Sequence, residues 1–151
     1  MINKKNHKVA LVTGSAGFIG FHVARSLLDD GWRVIGLDCL SDYYDVSIKK
    51  RREEILLNNS SYTAIHKRLE DPGVLKNIFE KEVPKVVVHL AAQAGVRHSL
   101  VNPRAYLESN IVGTFELLEA ARNCPPLHLL IASTSSVYGA NEKTPYKETD
   151  T

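Results

Sequence analysis

The chain has 151 residues, 44% of them apolar, which suffices for one packed core and is too short for two ordinary domains. Its 19 basic and 17 acidic residues leave a formal net charge of +2 without a basic stripe, a balance that argues against a nucleic-acid partner. The polar opening Met1–Asn6 holds no apolar stretch of leader or membrane-span length, and Cys39 and Cys124 lack redox or metal spacing, so a soluble, cytoplasmic protein with reduced thiols is expected.

Short apolar runs alternate with amphipathic stretches, the pattern that βαβ units of a parallel sheet produce. A first strand is expected over Lys8–Thr13, then a glycine-rich turn and a helix on which Ile19, Val23 and Leu27 recur at i, i+4 and i+8. A second strand covers Arg33–Asp38. The run Lys49-Lys50-Arg51-Arg52 is offset at once by Glu53-Glu54 and reads as a solvated helix face without a function. Strands follow at Tyr62–His66 and Lys85–Leu90. In the latter, His89 reads as a satisfied core histidine, and the six histidines show no metal spacing. A longer helix starts after Asn102-Pro103, where Pro suits the first turn and Asn supplies a cap, and it stops at Cys124-Pro125-Pro126. Its stripe of Leu107, Ile111, Phe115 and Leu118, like the stripe on the first helix, is expected to pack on the sheet. The last strand is His128–Ser133. The Val-Leu-Ile content of several strands implies burial on both faces, and the whole reads as an α/β, Rossmann-type doubly wound parallel sheet.

The spacing Gly14-x-x-Gly17-x-x-Gly20 gains its meaning from its place between a strand and an amphipathic helix. Gly14 allows a tight turn, Gly17 lets a pyrophosphate approach the backbone, and Gly20 lets helix and strand pack closely. Asp38, at the end of the second strand, can accept hydrogen bonds from adenosine ribose hydroxyls and repels a 2′-phosphate, which favours NAD over NADP.

With this glycine spacing, the Asp after the second strand and Ser133-Thr134-Ser135-Ser136, the chain resembles the extended short-chain dehydrogenase/reductase superfamily. Within it the chain is similar to UDP-glucuronate 4-epimerases of the capsular-polysaccharide type, through Gly17-Phe18-Ile19-Gly20-Phe21-His22, Asp42-Tyr43-Tyr44-Asp45 and Ala91-Ala92-Gln93-Ala94-Gly95-Val96-Arg97. The resemblance implies NAD contacts from Gly14, Gly17, Phe18, Ile19, Gly20, Asp38, Leu69, Leu90, Ala91, Ala92, Ser109 and Ser133. It implies a UDP-sugar substrate, UDP-glucuronate or UDP-galacturonate, whose C4 loses a hydride and regains it on the other face, and a homodimeric full-length enzyme. Thr134 matches the family's catalytic Ser/Thr, whose hydroxyl bonds the sugar oxygen. Arg97 could bind a uronate carboxylate or diphosphate through its guanidinium fork, or simply be solvated.

Residues 1–151 contain no Tyr-x-x-x-Lys, the family's base and its positioning lysine. The chain therefore reads as an N-terminal NAD-binding domain without the sugar-binding part, inactive alone. A catalytically silent NAD-binding or interaction module is the alternative. A nucleotide-sugar dehydratase or decarboxylase is disfavoured, because Ser135 and Ser136 stand where those enzymes carry carboxylates. Two departures bear on the adenosine end. Cys39 stands where an Asn often follows the ribose-binding Asp, and Arg68 replaces an acid that would accept the adenine amino group, with Asp71 as a possible substitute.

Overall fold

A computed structural model describes residues 8–150; the opening Met1–Asn6 and Thr151 lie outside the described residues. Strands β1 (Val9–Thr13), β2 (Arg33–Leu37), β3 (Tyr62–Ile65), β4 (Val86–His89) and β5 (His128–Ile131) form one parallel sheet in the order β3-β2-β1-β4-β5. At its centre Leu11 lies opposite Ile35 on one side and Val87 on the other. β1 ends at Thr13 as expected, and the other four strands end one or two residues sooner than their apolar runs. Asp38, His66 and Leu90 leave the ladder and stand at the carboxyl edge of the sheet.

Alternation along the strands divides the core into two layers. Leu11, Ile35 and Val87 pack with Leu75, Ile78 and Phe79 of helix α3 (Val74–Glu82) and with Leu117, Ala120 and Ala121 of a later helix. Val12, Val34 and Val88 pack on the other face with Phe21, Ala24 and Leu28 of helix α1 (Phe18–Asp29) and Leu56 of helix α2 (Val46–Leu57). Helices on both faces of a parallel sheet make the architecture doubly wound, as expected.

After a single turn, α4 (Val96–Ser99), the chain enters a helical run of three parts: α5 (Pro103–Tyr106), a π-helical turn (Leu107–Val112) and α6 (Gly113–Asn123). Asn102 caps it by accepting from the Ala105 amide at 3.4 Å, Pro103 sits in the first turn, and Cys124 follows the last residue. On this run the expected apolar stripe is not the packed face. Leu107, Ile111, Phe115 and Leu118 are exposed, by 63% for Ile111, while Gly113, Leu117, Ala120 and Ala121 are buried. Two causes operate. The π turn carries more residues per turn than 3.6, so spacing arithmetic across it loses register. The small Gly113, Ala120 and Ala121 also let the helix approach closely, and a β-carbon on Gly113 would come within 2.7 Å of Leu69 Cβ. On α1 the expected stripe packs in part: Val23 and Leu27, half-buried, lie against the core with Phe21, Ala24 and Leu28, while Ile19 is exposed.

Burial on both faces holds for β1, fully buried, and for most of β2 and β4, but not for β5, where Leu130 and Ile131 remain exposed. The packed face of α6 can be tested by paired truncations at concentrations where the chain is monomeric. Leu117→Ala is expected to cost about 2–5 kcal/mol in urea unfolding, and Leu118→Ala less than about 0.5 kcal/mol. Equal losses would put the helix the other way round.

Candidate functional site

The chain leaves β1 for β2 on one side and reaches β4 on the other, so a crevice opens at the carboxyl ends of β1 and β4, where doubly wound sheets bind their ligands. The glycine turn forms its floor. Gly14 has φ +71°, and its amide donates to the Leu37 carbonyl at 2.7 Å. A β-carbon there would lie 2.9 Å from the Ala91 nitrogen, one on Gly17 would lie 3.0 Å from the Gly14 carbonyl oxygen, and one on Gly20 would fall onto that same oxygen. A side chain cannot enter at Gly14 or Gly20 without displacing backbone, and at Gly17 it would be a tight fit. Gly17 is the N-cap of α1 and no side chain caps the helix, so the free amides of its first turn lie beside the crevice with the partial positive charge of the helix end.

A groove of about 280 Å³ runs from this turn and brings together Gly14, Gly17, Phe18, Asp38, Leu69, Leu90, Ala91, Ala92 and Ser109. Gly20 lies beneath it as a packing residue. Ile19, Arg97, Ser133 and Thr134 are outside its lining. Arg97 is exposed on α4. Thr134 precedes a 3-10 turn (Ser135–Tyr138); its Oγ1 accepts from the Ser136 amide at 3.2 Å and donates to Ser136 Oγ at 3.3 Å. A larger but open concavity of about 610 Å³ sits in the loops near Tyr138 and Asp150, away from the glycine turn.

Asp38 is buried at the groove wall. Its Oδ2 accepts from the Ala16 amide at 3.1 Å and its Oδ1 from the Leu40 amide at 2.8 Å, with Lys49 Nζ at 3.5 Å from Oδ1. A carboxylate has about four acceptor sites, so room for a ribose hydroxyl remains. Lys49 corrects the reading of its run as a solvated face. It is 6% exposed, donates to Ser41 Oγ at 3.1 Å and lies over Tyr44, while Glu53 on the same face is buried and pairs with His66 at 2.7 Å. Lys50, Arg51 and Glu54 are exposed as expected, whereas Arg52 is half-buried and donates to the Ala16 carbonyl at 3.4 Å. Helical spacing splits the run: Lys49, Glu53 and Leu56 share one face. The signal available in the sequence was that i, i+4, i+7 relation to a buried leucine. At the adenosine end Arg68 pairs with Glu70 at 3.0 Å, and Asp71 accepts Arg68's own amide at 3.2 Å. Glu70, not Asp71, lines the groove.

The segment leaving β4 is held from behind. Thr13 Oγ1 accepts from the Leu90 and Ala91 amides, both at 3.1 Å, and lies 2.8 Å from His89 Nδ1, whose other ring nitrogen is 3.2 Å from Thr114 Oγ1. Asn110, in the π turn, grips Gln93 with both ends of its amide, accepting from N at 2.7 Å and donating to O at 3.0 Å. Tyr106 donates to the Ala94 carbonyl at 2.7 Å and also bonds that of Gly95, where Tyr43 and His98 meet with ring centres 4.9 Å apart. Gly36 was not singled out in the sequence. A side chain there would land on the Tyr62 hydroxyl, which donates to Ser15 Oγ at 3.0 Å directly behind the glycine turn.

The sequence pattern of the family described as GDP-mannose 4,6 dehydratase matches residues 11–151. The chain belongs to that family. Among this family's relatives, a Rhizobium meliloti protein described as a "probable UDP-glucuronate 4-epimerase" is 52% identical over 140 residues, which is 93% of this chain and 41% of that protein. UDP-glucuronate 4-epimerase 2 of Arabidopsis thaliana is 43% identical over 99% of this chain and 34% of its own length. The crystal structure of a Bacillus cereus UDP-glucuronic acid 4-epimerase, in complex with UDP-glucuronic acid and NAD, superposes with a TM-score of 0.86 at 32% identity, covering 95% of this chain and 45% of that one. The chain thus spans less than half the length of these relatives.

Burial raises the Tyr62 phenol to about 12, well above its ordinary 10.0. Between these values the unfolded chain ionises this group and the folded chain does not. Stability should therefore fall as pH rises from 10 to about 12, at roughly 1.4 kcal/mol per pH unit at most. Tyr62→Phe should remove that part of the slope in urea unfolding; an unchanged slope would place the phenol in water.

Proposed function

We propose that this chain is the NAD-binding part of a UDP-sugar 4-epimerase that interconverts UDP-glucuronate and UDP-galacturonate. The observation that carries the reading is the glycine-floored groove at the switch point, where backbone stands in the way of a β-carbon at Gly14 and Gly20 and crowds one at Gly17, in a chain 52% identical over 140 residues to a protein described as a probable UDP-glucuronate 4-epimerase. The donor set suits a dinucleotide. The amides of Phe18 and Ile19 at the open end of α1 bind the pyrophosphate, with Gly17 giving it access. Asp38 takes the adenosine ribose, Leu69 flanks the adenine end, and Leu90, Ala91 and Ala92 shape the nicotinamide-ribose side with Ser109 and Ser133 beside them. When bound there, NAD supplies the hydride acceptor for sugar C4 and later the donor to the opposite face.

This chain's own residues then bind and orient. Thr134 hydrogen-bonds the C4 oxygen, accepting or donating as that oxygen gains or loses its proton. Arg97, exposed on α4 and outside the groove lining, binds the anionic end of the sugar nucleotide. The family's name includes a dehydration, but Ser135 and Ser136 hold the positions where such chemistry needs carboxylates, which supports epimerisation. The base and its lysine lie in sequence that residues 1–151 do not contain, so this chain alone binds NAD and turns nothing over.

Calorimetric titration with NAD is the direct test. Binding is expected in the wild type, with Gly14→Val weakening it at least about tenfold, the equivalent of 1.4 kcal/mol. A full-length protein should interconvert the two UDP-uronates, with Thr134→Val lowering kcat about 100-fold; a loss under about tenfold would remove the hydroxyl from the proton path. UDP-glucuronate turnover by residues 1–151 alone would refute the division of labour.

We also infer that the full-length enzyme is a homodimer formed through Leu107, Ile111, Phe115 and Leu118, a stripe too apolar to leave in water. Ile111→Lys is expected to give a monomer in sedimentation velocity where the unsubstituted protein is a dimer.

A further inference from the structure

The buried His89 network contains more information than a filled core. Thr13 Oγ1 accepts two amide hydrogens, those of Leu90 and Ala91, and a hydroxyl oxygen has two acceptor sites. Both are therefore used. The Thr13 hydroxyl hydrogen must go to the one remaining neighbour, His89 Nδ1 at 2.8 Å, which has to present a lone pair. The ring proton then sits on Nε2 and is donated to Thr114 Oγ1 at 3.2 Å. One tautomer of the neutral ring satisfies every group, and no other protonation state does.

The position of this network matters. Thr13 is the residue before Gly14, and Leu90 and Ala91 form the opposite wall of the groove, with the Ala91 nitrogen 2.9 Å from where a Gly14 β-carbon would be. Thr13 ties the two walls together, and His89 orients Thr13.

The geometry points to His89 as a positioning residue that holds the Leu90–Ala92 wall in its cofactor-accepting place only while its imidazole is neutral with the proton on Nε2. This rests on the NAD reading of the groove. An imidazolium has donors on both nitrogens. Its Nδ1–H would compete with two amides for the two acceptor sites of Thr13 and would leave the Thr13 hydroxyl hydrogen without a partner; the Leu90 amide can fall back on the Thr13 carbonyl, to which it also donates at 3.3 Å, so the Ala91 amide is the one released. Nothing charged offsets this. β1 and β5 bring Thr13 and Ile131 alongside the ring, α6 brings Thr114, and burial is the only influence on its proton affinity, holding it below the usual 6.5. The neutral form is thus complete at pH 7.5 and is lost on the acid side.

The test combines ¹⁵N spectra of the imidazole, amide exchange and NAD titration on wild type, His89→Asn and His89→Leu. Asn can place an acceptor oxygen where Nδ1 is and cannot titrate, whereas Leu removes the acceptor. The expected results are a bare Nδ1 and a protonated Nε2 at pH 7.5, NAD affinity weakened about tenfold in His89→Leu and within about threefold in His89→Asn, and a loss of affinity toward pH 5.5 in wild type that His89→Asn does not show. A lower protection factor for the Ala91 amide at pH 5.5, and less so for Leu90, with that of Leu11 unchanged, each taken relative to the intrinsic exchange rate at that pH, should accompany it. A protonated Nδ1 at pH 7.5, or parallel acid weakening in wild type and His89→Asn, overturns the proposal. Should wild type fail to bind NAD at all, the cofactor reading fails, and the imidazole spectrum with the Leu90 and Ala91 exchange still decides the role of His89. If His89→Leu does not fold, His89→Asn and the wild-type pH series carry the same decision.

Discussion

The structure depends on one close approach of backbone to backbone. The carbonyl of Gly14 sits where a β-carbon on Gly20 would go and crowds one on Gly17, and Gly14 itself abuts Ala91. That contact brings the start of α1 down onto the ends of β1 and β4, which fixes where the helix amides point and how wide the groove is. Parallel strands and flanking helices supply the frame, but the turn determines what the frame can hold. A single methyl at Gly20 would separate helix and sheet over their whole contact.

Such a tight backbone arrangement leaves polar groups buried behind it, and each is satisfied by a dedicated partner. Tyr62 bonds Ser15, Asp38 bonds the Ala16 and Leu40 amides, Thr13 bonds two amides and His89, and Asn110 clamps Gln93. Among the described residues no buried side-chain nitrogen or oxygen lacks a partner. Networks of this kind cost little while complete and much when one member is lost. They also explain the buried lysine. Lys49 lies beside Asp38 and under Tyr44, so the charge of the wall carboxylate is balanced from within the protein.

Much of this was legible in the sequence. The five strands, the glycine turn, the cap at Asn102 and the stop at Cys124 follow from local rules: apolar runs, backbone freedom and side-chain capping. Of the residues assigned to the cofactor, most of those at the glycine turn and at the ends of β2 and β4 line the groove, Ile19, Gly20 and Ser133 excepted, because their placement needs only the topology. The failures share a cause. The stripe Leu107-Ile111-Phe115-Leu118 was read at a uniform 3.6 spacing through a segment that is π-helical, and hydrophobicity alone could not say which of two apolar faces was inward. Lys49 was read by its charge, while its burial depends on Asp38, a partner distant in sequence. Gly36 escaped notice because the atom it makes room for belongs to Tyr62, on the neighbouring strand.

The edge strand has a consequence for handling the molecule. Among the described residues β5 pairs with β4 alone, its Leu130 and Ile131 are exposed, and no strand lies beside its outer backbone row. An open, apolar edge is a template for strand addition between molecules. Wherever that edge stays open, colloidal behaviour will be governed by concentration: sparing at high dilution, prone to sheet-extending association when crowded, and relieved by any segment or ligand that lies along the strand.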